Sequence, residues 1–299
     1  MQKKFIYIIN PISGSGTKKG LQDLIREKTK EKNIPFYIFP SVANGDYSYL
    51  HPLIKEQNIT DVIIAGGDGT VSQVVSSLLK FDLNFGVIPS GSGNGLALFA
   101  GISKQPEKAL NTIFNGTATA IDGFYVNDQF ACMLCGLGFD AKVAHDFAKQ
   151  PKRGFAMYIR QTILNLLSAK TFSFELQMKN VKLETDAYFI SIANSNQFGN
   201  NFTIAPRASL NDGLLDVVIV TSGNTLNFIL QTLRQVAGWN QLQSETHIEN
   251  KKSVIYFQTD RLTIINKTNA PFHIDGDPAE SVNRVKIKVF KNCFRLIQP

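Results

Sequence analysis

Apolar residues in this chain come in short blocks closed by glycine, and the first hundred residues repeat that arrangement three times. Phe5–Ile9, Val62–Ala65 and Phe85–Ile88 are compact runs with the texture of strands buried on both faces. After each comes a turn containing glycines, then a run whose apolar residues share one helical face. Leu21, Leu24 and Ile25 mark the first such helix, and Val71, Val74, Val75, Leu78 and Leu79 the second. Leu96-Ala97-Leu98-Phe99-Ala100 opens the third. Phe36–Phe39 reads as a further strand, leading through Ser41-Val42-Ala43-Asn44-Gly45-Asp46 into a short helix containing Leu50 and Ile54. Strand, turn and helix in succession predict an open parallel α/β domain over residues 1–122, with its turns gathered at the carboxyl ends of the strands.

Near Asp122 the texture changes. Short strands dominate from there: Ala120–Val126, Gln129–Cys135, Phe172–Lys179, Leu183–Ala193, Leu215–Val220, Ser253–Phe257, Arg261–Ile265 and Val285–Phe290. Lys179-Asn180 has the look of a hairpin turn. Helices are expected at Phe155–Leu167 and at Thr225–Ala237, the latter striped by Leu226, Ile229, Leu230 and Leu233. Residues 123–299 therefore read as a mostly antiparallel β-sandwich domain with added helices, its last segment, 285–299, free to pack back on the first domain. There is no internal repeat, low-complexity tract or flexible linker.

Composition narrows the picture only a little. The chain is 43% hydrophobic and 18% charged, an ordinary globular balance with ample core material. A formal net charge of +7 favours anionic partners such as nucleotides or acidic lipid headgroups. Nucleic acid is not expected, because no motif for it accompanies the charge. Three cysteines, an odd number in a long chain, suit a reducing compartment. Cys132 and Cys135 have C-x-x-C spacing but lie in an apolar run, which favours a buried strand over a metal or redox site. No apolar run approaches the ~18 residues that a membrane span needs.

The turns carry the candidate chemistry. Asp61-Val62-Ile63-Ile64-Ala65-Gly66-Gly67-Asp68-Gly69-Thr70 joins a buried strand to a helix N-terminus through glycines. Such a junction aims backbone N–H groups and a positive dipole end at one point, which suits phosphate. Asp68 is useful there if Mg²⁺ bridges phosphate oxygens, and is otherwise a helix cap. The other two turns are Asn10-Pro11-Ile12-Ser13-Gly14-Ser15-Gly16 and Pro89-Ser90-Gly91-Ser92-Gly93-Asn94-Gly95; the first lacks the Lys-Ser/Thr ending of a Walker loop. In the second domain, Asn211-Asp212-Gly213-Leu214-Leu215-Asp216 is open to two readings, a plain Asp-Gly turn or a divalent-cation loop. Phe272-His273-Ile274-Asp275-Gly276-Asp277-Pro278 is likewise either an Asx turn or the seat of a general base. His273 reads as a strand histidine with its hydrogen bonds satisfied.

Taken together and in order, these segments resemble the diacylglycerol kinase-like catalytic fold shared by bacterial lipid kinases, sphingosine kinases and ceramide kinases, over essentially the whole chain. Asn10-Pro11 resembles the family's opening element, Gly66-Gly67-Asp68-Gly69-Thr70 its signature turn, and Pro89 through Ala97 its third glycine turn. The resemblance implies nucleotide contacts from Asn10, Pro11, Ser41, Gly66, Gly67, Asp68, Gly69, Thr70, Ser92, Gly93 and Asn94. It also implies a structural Mg²⁺ held by the Asp212 side chain with the carbonyls of Ser209 and Leu214. Asp277 falls where the family has its base, with Asp68 the rival for that role. Two residues depart from the pattern: Asp277 stands where Glu is usual, and Gly95 where bacterial diacylglycerol-type members commonly carry Asp. The Gly-Ser-Gly-Asn wording is closer to sphingosine kinases.

What the resemblance implies is an ATP- and Mg²⁺-dependent lipid kinase, cytoplasmic and peripheral at the inner membrane surface, phosphorylating a diacylglycerol-like acceptor and touching an anionic leaflet. Homodimer formation is left open. Alternatives are a sphingoid-base or ceramide-type kinase, an NAD kinase-like enzyme for a soluble substrate, and a catalytically silent lipid- or nucleotide-binding module.

Overall fold

The computed structural model describes residues 2–12, 18–150, 162, 165, 169–179, 181–197, 203–221, 225–245, 248–249 and 252–299. The chain divides into two compact units, Met1–Ile121 with Asn292–Pro299, and Asp122–Lys291.

The first unit runs β1 (Phe5–Ile9), α1 (Lys18–Glu31), β2 (Phe36–Pro40), α2 (His51–Glu56), β3 (Asp61–Gly66), α3 (Asp68–Leu78), β4 (Asn84–Pro89), α4 (Gly95–Phe99) and α5 (Pro106–Asn115). Its strands are parallel in the order β2-β1-β3-β4. β1 and β3 are buried from end to end, as central strands of a parallel sheet covered by helices must be. Val71, Val74, Val75 and Leu78 form the buried face of α3, and Leu79 marks its C-terminal cap. Tyr7 is wholly buried, and its hydroxyl shares a 2.8 Å hydrogen bond with Thr29 of α1, fixing that helix against β1. Because all four strands point the same way, the residues after each one emerge at a single edge of the sheet.

The second unit continues with β5 (Thr117–Val126), β6 (Gln129–Ala131), β7 (Leu134–Gly138), α6 (Phe139–Ala148), β8 (Phe172–Gln177), β9 (Lys182–Ala193), β10 (Leu215–Thr221), α7 (Thr225–Val236), β11 (Val254–Thr259), β12 (Arg261–Asn266), β13 (Phe272–Ile274), β14 (Asp277–Ala279) and β15 (Arg284–Gln298). The strand β5 carries the chain from the first unit into it. Pairing within the unit is antiparallel, in the order β14-β13-β7-β9-β8-β12-β15, with β10 between β9 and β11. The last residues of β15 belong to the first unit, where Arg295 and Leu296 run parallel to Asn84 and Phe85 of β4. An open parallel α/β domain followed by an antiparallel β-sandwich is the class expected from the sequence.

Central strands of the second unit are buried on both faces. Ile190 and Ile192, Leu215, Val217 and Ile219, and Ile255 and Phe257 enter one core. Their alternates Phe189 and Ala193, Val218 and Val220, and Val254 and Tyr256 enter another. The two-residue period of these strands thus divides one core from a second, not core from water, which is why they read as nearly unbroken apolar runs.

Several elements differ from the sequence reading. Gln129–Cys135 is two strands, β6 and β7, because the backbone at Cys132, Met133 and Leu134 turns its N–H groups onto the Asp275 carboxylate. The predicted helix Phe155–Leu167 lies outside the described residues except for Thr162 and Asn165, which are helical. The turn Ser13–Gly16 and the hairpin residue Asn180 also lie outside them, although β8 and β9 do pair as a hairpin. Along α7 two leucines of the expected stripe, Leu230 and Leu233, are exposed and Ile229 is half-buried, while Phe228 and Gln235 are buried. Cys132 and Cys135 are both wholly buried and are not joined in a disulfide.

One buried group gives the fold a pH signature. Asp216 on β10 is 1% exposed and accepts hydrogen bonds from the Tyr256 hydroxyl and from Gln258 Nε2 at 3.0 Å. Burial pushes its carboxyl pKa up to about 6, with the hydrogen bonds from Tyr256 and Gln258 opposing. An unfolded Asp titrates near ~3.9, so the native state holds the proton more tightly. The stability due to this proton is complete below that value and is lost as pH rises through the folded pKa. In Mg²⁺-free buffer, the melting temperature of Asp216→Asn minus that of the native chain should climb between about pH 4 and about pH 7. A difference flat across that window would contradict the assignment.

Candidate active site

Gly66–Thr70 turns the end of β3 directly into α3, with Gly67 as the extended N-cap residue. A Cβ on Gly66 would stand 2.7 Å from the Thr70 Cβ, so the turn closes on itself only without one. The turn after β4 meets it backbone to backbone. A Cβ built on Gly91 would come within 2.4 Å of the Gly67 Cα, a distance no side chain tolerates. Ser90 donates its N–H to the Gly66 carbonyl at 3.0 Å, holding the two strand ends in step.

Side chains then lock this junction. Asn94 adopts a left-handed conformation at φ 57° and is buried; its Oδ1 accepts the Gly91 N–H at 2.8 Å while its Nδ2 donates to the Gly91 carbonyl at 2.7 Å. Asp68 reaches across from the neighbouring turn. Its Oδ2 accepts the Gly95 N–H at 3.0 Å and its Oδ1 the Leu96 N–H at 3.1 Å, capping α4. Asn10, just past β1, donates to Thr70 Oγ1 at 2.9 Å and receives the Ile12 N–H at 3.0 Å, with Pro11 exposed between them. Ser41 follows β2, its N–H bonded to the Ile9 carbonyl at 2.9 Å. Ser92 and Gly93 are half-buried at the tip of the third turn. All the residues expected to contact a nucleotide therefore lie along one edge of the first unit.

In the second unit the acidic turn divides its two carboxylates. Asp275 is buried at φ 49°, and its oxygens accept the N–H groups of Cys132 (3.1 Å), Met133 (2.9 Å) and Leu134 (3.0 Å). Gly276 follows at φ 82° with open space around it, and Asp277 begins β14 exposed. Asp212 is exposed as well, and its Oδ1 receives the Leu214 N–H at 3.0 Å, the geometry of an Asx turn. Ser209 Oγ donates to Asn211 Oδ1 at 3.1 Å in the same loop. Asp122, which served in the sequence only as a boundary, is buried beside it and accepts the Gly213 N–H at 2.7 Å. Partial desolvation and the Asp122 carboxylate push the Asp212 pKa upward, while hydrogen bonds at the turn and Lys291 draw it down.

A buried polar pair escaped the sequence reading. His273 Nε2 lies 3.3 Å from Asp140 Oδ2, and a Cβ on Gly136 would stand 2.1 Å from that oxygen. Gly136 is what makes room for the pair. His273 Nδ1 has no hydrogen-bond partner, so this histidine is only half satisfied, against expectation. Its signal was Gly136-Leu137-Gly138-Phe139-Asp140, glycines spaced to admit a carboxylate at a helix start.

Comparison with known proteins identifies the family and the fold. The family model of the diacylglycerol kinase catalytic domain matches residues 4–126, and that of the YegS C-terminal NAD kinase beta sandwich-like domain matches residues 134–298. The chain belongs to the diacylglycerol kinase-like lipid kinase family. A diacylglycerol kinase of Bacillus subtilis (strain 168) is 26% identical over 291 residues, 94% of this chain and 93% of the relative. A protein named "probable lipid kinase YegS-like" from Enterobacter sp. (strain 638) is 27% identical, covering 86% of this chain and 85% of its own. A crystal structure of a diacylglycerol kinase from Bacillus anthracis strain Sterne superposes with a TM-score of 0.73 at 18% identity, covering 99% of this chain and 97% of that one, which shows the shared fold.

For a lipid kinase the question is what these residues can hold. The Gly67–Gly91 contact leaves backbone where a Cβ would stand, and the first-turn amides of α3 have no carbonyl of their own helix to bond. Phosphate oxygens fit such a place. Among the described residues no cluster of three or more His, Cys, Asp or Glu side chains converges on a metal position. A cation at the Asp212 loop would rest instead on that carboxylate with the Ser209 and Leu214 carbonyls, hard oxygen donors that suit Mg²⁺. The neighbouring Asp122 carboxylate adds the negative potential that a cation relieves.

Two outcomes follow. Asp68→Ala strands the buried Gly95 and Leu96 N–H groups, each worth ~1–3 kcal/mol, so urea denaturation should show a loss of roughly 2–4 kcal/mol; an unchanged midpoint would remove its tying role. Native protein should melt higher as Mg²⁺ is added, by ~2–3 kcal/mol of stability at a hundredfold excess over Kd. That increment should vanish in Asp212→Ala, and a native melting curve indifferent to Mg²⁺ would leave the loop a plain turn.

Proposed function

We propose that this protein transfers the γ-phosphoryl group of ATP to the hydroxyl of a membrane lipid, a diacylglycerol-like one by preference. The observation that carries the reading is the backbone-to-backbone meeting of the Gly67 and Gly91 turns at the ends of adjacent parallel strands. Phosphoryl transfer asks a protein mainly for alignment and charge neutralisation, and a glycine-lined edge facing a helix N-terminus provides both. When bound, ATP with Mg²⁺ supplies the phosphoryl group and neutralises its oxygens. The amides of Gly67, Asp68 and Gly69 would bind phosphate, Thr70 and Asn10 would orient the turn, and Ser41, Ser92, Gly93 and Asn94 would complete the nucleotide contacts.

Asp277 is assigned to accept the proton of the acceptor hydroxyl. Its exposure supports that role, whereas both Asp68 oxygens already receive amide hydrogens. Asp275 holds the turn from below as a positioning residue. Asp at 277 is a methylene shorter than Glu, a difference of ~1 Å in reach that general-base catalysis feels strongly. Among the described residues no helix is long and apolar enough to cross a membrane, so the enzyme is proposed to work peripherally at the inner, cytoplasmic surface.

Radiolabelled ATP with mixed micelles of diacylglycerol, ceramide or sphingoid base tests the reading. Labelled phosphatidic acid is expected from diacylglycerol. Asp277→Ala should abolish labelling at an unchanged melting temperature, and near-normal turnover in that variant would remove Asp277 as the base. Labelling of sphingoid base or ceramide alone would trace acceptor choice to the turn where Gly95 replaces Asp.

A further inference from the structure

Six large apolar side chains are exposed among the described residues, and three of them fall within one short segment: Leu230 at 52%, Leu233 at 58% and Trp239 at 74% exposure. Leu230 and Leu233 are three positions apart on α7, so they share a helical face. Ala237, Gly238 and Trp239 follow directly and are exposed as well, and the Trp239 N–H donates to the Arg234 carbonyl at 3.0 Å, which keeps it against the last turn of the helix. The opposite side of α7 is firmly seated. Phe228 stacks on Tyr188 at 4.4 Å and meets Phe139 edge-on at 5.1 Å, and Gln235 Nε2 donates to the Ile204 carbonyl at 2.8 Å. Packing therefore leaves the leucine face outward with a fixed orientation.

Charge says what this face fits. Residues 217–244 contain no Asp or Glu, and the cation on the exposed side is Arg234. Exposed Arg207 lies just after Pro206, which a Cβ built on Gly238 would meet at 3.6 Å. Leucines flanked by arginine and ending in an exposed tryptophan make a helix that lies in a lipid headgroup plane, the indole at the interface and the guanidinium toward anionic phosphate. At ~18 Å a twelve-residue helix is too short to span a bilayer and can only lie along it. A second copy of the chain fits less well. Even the tryptophan offers only ~200 Å², and three such side chains fall short of the ~800 Å² per partner that a stable dimer buries.

We infer that the outward face of α7, Leu230 and Leu233 with Arg234 and Trp239, is the surface by which this protein docks on an anionic lipid bilayer. The inference deepens the lipid-acceptor reading and rests on it for its purpose, but vesicle binding can be measured with no ATP present, so the two fail separately.

Trp239 is the single tryptophan of the chain and reports on its own face. With phosphatidylglycerol-rich vesicles, its emission should shift to the blue and be quenched by brominated acyl chains, with weaker binding to phosphatidylcholine alone. Leu230→Ser combined with Leu233→Ser should weaken vesicle partition about tenfold or more at an unchanged melting temperature, while turnover of a short-chain, water-soluble diacylglycerol persists. Should that double variant fold poorly, quenching of the native protein decides alone. Three results overturn the inference: no sedimentation with anionic vesicles, sedimentation with Trp239 emission unmoved, or a blue shift that appears without lipid as protein concentration rises.

Discussion

Two neighbouring parallel strands end side by side, and the chain beyond each can touch the other only because Gly67 and Gly91 have no side chains. That single approach sets the rest of this edge of the sheet. With the backbones in contact, the Asp68 carboxylate comes within reach of the Gly95 and Leu96 amides, and α4 receives its cap from a different turn. Asn94 closes the loop from within by pairing both polar atoms of its amide with Gly91. A group built this way is rigid before any ligand arrives. Preorganisation of that kind is what electrostatic catalysis requires, since donors that must rearrange during reaction give back much of their benefit.

A second economy governs the carboxylates. The second unit holds Asp122, Asp140, Asp216 and Asp275 almost out of reach of solvent, and each of these has backbone or side-chain donors pressed against it. Burying a carboxylate is costly unless donors replace the lost water, so these four are committed to architecture. Asp212 and Asp277, by contrast, are exposed. Exposure alone does not single these two out, since Asp128, Glu184, Asp186 and Glu280 are exposed as well; what distinguishes them is their place on glycine-containing turns.

Much of this was legible in the sequence. Continuous apolar runs ending in glycine announced β1, β3 and β4, and the glycine positions announced where backbones approach, because conformational demands of that kind leave few alternatives in residue type. The change of texture near Asp122 was legible for the same reason. Other features were not. In Asp275-Gly276-Asp277 the residue spacing is silent about which carboxylate faces inward, because Cys132–Leu134, whose amides decide it, lies far away in sequence. The break between β6 and β7 is a consequence of the same long-range contact. His273 and Asp140 were missed because their pairing depends on room left by Gly136 on a third element.

The direction of a helical stripe is the hardest of these to read, and α7 shows why. Periodicity establishes that Leu230 and Leu233 share a face; it does not say what lies opposite. Burial follows the side that finds partners, and here aromatic stacking of Phe228 with Tyr188, helped by the Gln235 hydrogen bond, holds one side down. In a chain whose partners are all water-soluble, an outward row of leucines ending in tryptophan would be a standing cost in solubility with no return. In an enzyme whose acceptor resides in a bilayer the same row lowers the free energy of the working state. The exposed stripe and the lipid-kinase family membership therefore explain one another better than either explains itself.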